Sequence, residues 1–453
     1  MSRIQTLRLS AIALAACAAL SAQAADFVLQ APSWGAAQDA AVAAAGGSVR
    51  FSHASGLAVA SSDNANFLAQ ALRGGAITSG AADQVIEQAP VRTFELVEEQ
   101  ALTHPGIDTF FPHIQWAPQA VQAPAAWAAG YTGRGVRVAV IDSGIFGSHP
   151  DLAANIDTAA ARSFVPGAPA SCQVRWDCDV GTFWHGTHVA GIVAAPANGI
   201  GVVGIAPEAT IVPVKALHGG SGSFGSVIQA IVYAATEGRA DIINMSLGAV
   251  FNRGGRDAAE LTSLLNRAVN FASRQGTLVI SSAGNSSLDI DHTGNVIVTP
   301  AQSGNGLAVS ATGPMGFGLG ANNFMRFSSY SNWGNSLVTV AGPGGDFALP
   351  GNAPCTLTRA NGTGLTRPCW VFDMVLSTVR GAGPNGGYAW AAGTSMSAPA
   401  VAAVAALIKQ KNPGASVGEL KTRLMRATVD AGKVGNDPFY GKGFINAAIG
   451  VAD

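Results

Sequence analysis

Three apolar runs constrain this chain more than anything else in it. Val136 to Ile141 is rich in β-branched residues and ends at Asp142, and Ala240 to Met245 and Thr277 to Ser281 are similar, each followed by a polar or glycine-rich turn. A strand with one solvated face alternates apolar and polar residues, whereas a run that stays apolar has to be covered on both faces. Helical segments separate the runs, so from about residue 110 the pattern is that of a mostly parallel sheet with helices on both sides. Open sheets of this kind gather their chemistry at the carboxyl ends of the strands. This sequence places its polar residues there.

Composition narrows the partners. The 453 residues are 48% hydrophobic and only 12% charged, and 26 Lys+Arg against 27 Asp+Glu give a formal net charge of −1. No electrostatic footprint for nucleic acid or an anionic membrane surface is present. A mean hydropathy of +0.28 raises the question of membrane spans, and two runs come into view. Leu9 to Ala22 follows Arg3 and Arg8 and leads into Ala22-Gln23-Ala24, the layout of a secretory signal peptide over residues 1–25. Ala398 to Ile408 is too short to span and reads as a buried helix. An exported protein, secreted or periplasmic and without a transmembrane segment, is expected. Cys17 also fits a lipoprotein cleavage site, which leaves lipid anchoring as an alternative.

Export agrees with cysteine use. Beyond Cys17 the chain holds Cys172, Cys178, Cys355 and Cys369, an even number. Three pairings are open, and closeness along the chain favours Cys172 with Cys178 and Cys355 with Cys369. Residues 26–108 differ in character from the longer C-terminal part. Ser48–Phe51 and Leu57–Ala60 read as a hairpin, Asp63–Leu72 as a helix capped at Ser62 or Asp63, and Thr93–Leu102 as a further strand, together a small α+β unit.

Three segments carry chemistry: Val138-Ala-Val-Ile-Asp142-Ser-Gly144 at a strand end, His185-Gly-Thr-His188-Val-Ala-Gly191 opening a helix, and Gly393-Thr-Ser395-Met-Ser-Ala-Pro399 opening another. Singly, each has a structural explanation; a serine that starts a helix is usually its cap. Together they supply a hydroxyl nucleophile, a base, and a third group to hold the base in the right tautomer. At these words, and in this chain order, the sequence resembles the subtilisin-like serine proteases, from about Phe111 to Ala448.

The resemblance implies a serine endopeptidase with catalytic Asp142, His185 and Ser395, in a three-layer α/β fold over residues 109–453. It implies that Ser281-Ser-Ala-Gly-Asn285 supplies the oxyanion side chain, Asn285, with the Ser395 N–H as second donor. It assigns Ser246, Leu247 and Gly248 to pairing with the substrate backbone, and places Ser282, Ala283 and Gly284 in the wall of the pocket before the cut. Small walls point to broad specificity with an apolar preference; Asp289 and Asp291 read as exposed turn carboxylates rather than as determinants of basic specificity. It also implies structural calcium on Asp151, Asn198 and the carbonyls of Pro196, Ile200 and Val202, though the family's glutamine ligand falls on Pro112, where Gln115 or a water would substitute. No organic cofactor is implied. The cysteine pairs fall in two lengthened loops. Residues 26–108 look like a propeptide that assists folding, inhibits the enzyme and is removed by autocatalytic cleavage near residues 105 to 112. Protein or peptide substrates and a monomeric enzyme complete the expectation.

Overall fold

In a computed structural model, residues 24–87, 92–96, 110–166, 168–252 and 254–452 are described. Residues 1–23, which hold most of the signal segment and Cys17, lie outside them. A nine-stranded sheet runs through the larger part of the molecule, in the spatial order Thr428–Val429, Phe444–Ile445, Val340–Pro343, Leu307–Thr312, Leu278–Ser282, Ile242–Met245, Arg137–Asp142, Thr210–Lys215, Arg162–Ser163. Every neighbouring pair is parallel except the first.

Strand alternation explains the layers. Along Arg137–Asp142, Val138 and Val140 join one buried cluster while Ala139 and Ile141 join another on the opposite face. The first cluster is completed by the helices His185–Ala194 and Thr394–Lys411. The second is completed by Phe224–Ala235 and Arg256–Arg274. Ala398–Ile408 lies inside the Ser395 helix and is buried throughout. Among the described residues no helix is long and apolar enough to cross a membrane.

The N-terminal unit is a four-stranded antiparallel sheet in the order Gly47–Ser52, Leu57–Ser62, Ala25–Gln30, Ser79–Ala82. The helix expected from Asp63 begins only at Phe67 and ends at Ala71. Asn64 is the physical reason: its side chain donates to Ala45 O and Gln70 Oε1, and its Oδ1 accepts from Asn66 N, so the entry is a side-chain-held turn. The helices Ala36–Ala44 and Phe67–Ala71 help build one small core. Val28, Leu57 and Ala81, from the sheet, pack instead into the cluster of the Phe224 and Arg256 helices. Arg267 donates to Ala31 O and Ser55 O at 3.0 and 2.9 Å, and Asp83 accepts from Gly225 N at the start of the Phe224 helix. Both disulfides favoured by chain proximity are formed, with Cα separations of 5.4 Å for Cys172–Cys178 and 4.8 Å for Cys355–Cys369.

Candidate active site

Asp142 ends its strand in the middle of the sheet and is 1% exposed, and its Oδ1 accepts from Ser143 N at 2.7 Å. Gly144 comes next at φ +123°, a left-handed conformation that favours glycine, and turns the chain sharply away. His185, the first residue of its helix, is also buried. Its Nδ1 lies 2.8 Å from Asp142 Oδ1 and 3.0 Å from Oδ2. An ionised carboxylate only accepts, so Nδ1 carries the proton and Nε2 is the basic end. Nε2 makes no hydrogen bond among the described residues.

Ser395 is the second residue of an 18-residue helix that packs against the His185 helix. Its hydroxyl is directed to Ser246 O at 3.4 Å rather than to His185, while its carbonyl accepts from Ser246 Oγ at 2.8 Å. Such contacts are often loose before substrate arrives. Ser246 is fully buried, held in turn by Asn244 Nδ2 at 3.0 Å. Its side chain and its carbonyl both engage Ser395. Leu247 is buried too, and Gly248 N donates to Glu87 O of the N-terminal unit at 3.0 Å.

Asn285 lies beyond the carboxyl end of the Leu278–Ser282 strand. Its Oδ1 accepts from both Thr394 N and Thr394 Oγ1, at 2.8 and 2.6 Å, which fixes the amide plane one residue from Ser395 and assigns donation to Nδ2. Ser282 and Ala283 are buried beside it. Gly284 sits at φ +95°, and a Cβ there would come 2.5 Å from Asn332 Nδ2. Asn332 organises this turn, donating to Ala283 O and accepting from Ser286 N and Leu288 N. Asp289 is spent on its own turn, at His292 Nδ1 and Asp291 N, and Asp291 on a distant one, at Asn335 N and Ser336 N.

With this carboxylate–histidine pair, helix-starting serine and oriented asparagine in place, the model of the subtilase family matches the chain over residues 133–443, more than half of its length. The chain belongs to the subtilases. It is a serine endopeptidase of the subtilisin type. M-protease of Shouchella clausii is 36% identical over 356 residues, 78% of this chain and 73% of its own length. Subtilisin Savinase of Lederbergia lenta is 36% identical over 335 residues, covering 74% of this chain and 97% of its own. The fold extends through the N-terminal unit: the epidermin leader peptide processing protease of Staphylococcus aureus superposes with a TM-score of 0.73 at 21% identity, over 94% of this chain and 99% of that one.

The subtilase relation raises calcium. Asp151 is buried, and its Oδ2 accepts from Val202 N at 2.9 Å and Tyr388 OH at 3.2 Å. Asn198 Oδ1 accepts from Ile200 N. Gln115 is committed at both ends to Val203, so it does not replace the ligand that falls on Pro112. Among the described residues no group of three His, Cys, Asp or Glu is placed to hold a metal. Asp151 and Asn198 offer oxygen types that calcium takes, a carboxylate and an amide, and each already accepts from a loop N–H.

Some supporting residues were not singled out by the sequence: Asn332 acts through tertiary contacts, Asn244 through the nearby Ser246, while Ser143 and Thr394 lie inside the motif segments with no role read from them. Lys215 left one trace, a charge closing an otherwise apolar strand, Thr210–Lys215.

Proposed function

We propose that this chain is an exported precursor whose mature part hydrolyses peptide bonds with Ser395 as nucleophile, His185 as general base and Asp142 as the group that orients and charge-stabilises the imidazole. The observation that carries the reading is the buried Asp142–His185 Nδ1 bond, which sets the tautomer and leaves Nε2 basic. The Ser395 hydroxyl swings from Ser246 O to Nε2, gives up its proton and attacks the scissile carbonyl. Asn285 Nδ2 and the Ser395 N–H meet the oxyanion, the second aided by the positive end of the helix dipole. His185 then protonates the leaving amine, and water resolves the acyl-enzyme by the same route. The edges at Ser221–Ser223 and Gly248 take the peptide as an added strand, which gives affinity with little side-chain selectivity. Ser282, Ala283 and Gly284 leave room for an apolar side chain. Asp151, Asn198 and the carbonyls of Pro196, Ile200 and Val202 would hold a structural calcium, which would supply charge that ties the loop to the sheet.

Residues 1–25 are read as a signal peptide and the N-terminal unit as a propeptide. Two strand pairings support this. Val85–Glu87 pairs antiparallel with Ser221–Ser223, with Glu87 bridged to Gly248, and Arg92–Leu96 pairs antiparallel with Gly387–Ala392, the strand that runs into Ser395. The chain thus lies on substrate-like edges to either side of Ser395. That geometry favours a first cut among the four residues between Glu87 and Arg92, upstream of the 105–112 window that the family pattern suggests.

A serine-directed fluorophosphonate should label Ser395. Ser395→Ala should abolish both labelling and removal of the N-terminal unit, and the intact mass of the processed wild type should place its N-terminus within 88–92. A folded wild-type protein that never reacts with the probe would overturn the catalytic assignment.

A further inference from the structure

The register that builds the site also puts a lysine beside its carboxylate. Asp142 and Lys215 are direct partners on neighbouring parallel strands, so their side chains leave the sheet on the same face. Lys215 is fully buried, where lysine is found almost only when paired. Its ammonium donates to the carbonyls of Ser143 and Leu217, the second at 2.6 Å, and Asp179 lies 3.9 Å away. The ionisable groups facing it are Asp142 from the adjacent strand, Asp179 from the loop after Cys178, and His218, whose Nδ1 is 3.7 Å from the same Asp179 oxygen.

Ser143 connects this lysine to the reaction. Lys215 holds the Ser143 carbonyl; the Ser143 N–H donates to Asp142 Oδ1; Asp142 holds His185. The Ser143 hydroxyl accepts from Gly186 N, next to His185. On the outer side, Ile145 N donates to Trp176 O within the loop closed by Cys172–Cys178, and a Cβ on Gly144 would come 2.8 Å from Trp176 O and 3.1 Å from Cys178 O. The lysine and its acidic partner therefore join the inserted loop to the turn that aims the carboxylate.

We propose that Lys215, with Asp179 as its counter-charge, is a positioning residue for proteolysis: it fixes the Ser143 turn that orients Asp142, and its charge biases the proton affinity of the Asp142–His185 pair. The inference rests on the roles of Asp142 as orienting group and His185 as base. Lys215 Nζ touches no reacting atom in that scheme. A positive charge beside Asp142 opposes a second one on His185, whereas Asp179 favours it. Burial lowers the ammonium to about 8, so it remains charged throughout the acidic range. His188, also near His185, is held neutral there, its burial lowering it to about 3.

Two variants with opposite expected signs test this. Lys215→Met should lower kcat at least tenfold with KM changed less than about twofold, and should move the acid limb of kcat/KM to higher pH by about half a unit to one unit. Asp179→Asn, which leaves the lysine but removes its counter-charge, should move that limb to lower pH. Active enzyme is counted by fluorophosphonate labelling and the fold is checked by circular dichroism. A merely structural role predicts losses of labelled enzyme with limbs unmoved, or moved in the same direction in both variants, and either result overturns the proposal. If Lys215→Met does not fold, Asp179→Asn decides alone: a limb that stays in place overturns it. A Ser395→Ala control that kept activity would instead defeat the underlying assignment.

Discussion

Asn285 is an amide committed from one end. Two bonds from Thr394 take its oxygen, so the donor end is oriented before any charge develops, which is what makes an oxyanion donor effective in a dry site. Asn285→Ala should cut kcat by about 10²–10³, the scale found for the corresponding donor in a subtilisin, with KM changed only a few-fold; steady-state kinetics on a peptide substrate checks it. A larger change in KM than in kcat would assign the side chain to ground-state binding. Asp142, His185, Ser395 and Asn285 were legible because each sits in a glycine-framed segment that has to present a side chain at a strand end or helix start. Asn332 and Lys215 were not, since an asparagine in a turn and a lysine ending a strand acquire meaning only when the sheet register and the packed loops put them beside something else.

The strand Gly387–Ala392 is pinned by two neutral histidines. His149 Nε2 donates to Gly387 O at 3.0 Å and His188 Nε2 donates to Ala389 O at 2.9 Å. Burial lowers the first to about 4 and the second to about 3. Because both folded values lie below the unfolded one, near 6.5, the unfolded chain takes up more protons as pH falls through that window, and stability drops. At pH 5 the loss is about 2 kcal/mol for each histidine. Asp373, raised to about 6 chiefly by burial, acts in the opposite direction and returns about 1 kcal/mol by taking up its proton. The melting temperature of the Ser395→Ala protein should therefore fall between pH 7 and pH 5, and a flat profile would refute the neutral assignment. At this scale the long apolar runs identified their strands to within a residue or two, and the Ser395 helix was read nearly to its end. In the N-terminal unit the hairpin strands were also found to within two residues, as Gly47–Ser52 and Leu57–Ser62, but the helix was not, because its start is set by the side-chain turn of Asn64 rather than by periodicity.

At the scale of the molecule, the two largest sheets share helices. The Phe224 and Arg256 helices, which cover one face of the large sheet, also receive Val28, Leu57 and Ala81 of the N-terminal sheet. Asp83 on Gly225 N is one polar anchor of that contact and Arg267 another. Replacing it with alanine strands two buried or half-buried carbonyls, at about 1–3 kcal/mol each, and should slow removal of the N-terminal unit several-fold in a time course followed by gel or mass; an unchanged rate would mean that docking through this face is not needed for processing. The two pairings on either side of Ser395 carry a further consequence. If the first bond cut belongs to the same chain, the nucleophile and its target meet at a local concentration set by a tether, independent of how many other copies are nearby. Ripening would then be a first-order clock carried by each molecule, running at the same pace in a dilute medium as in a crowded one.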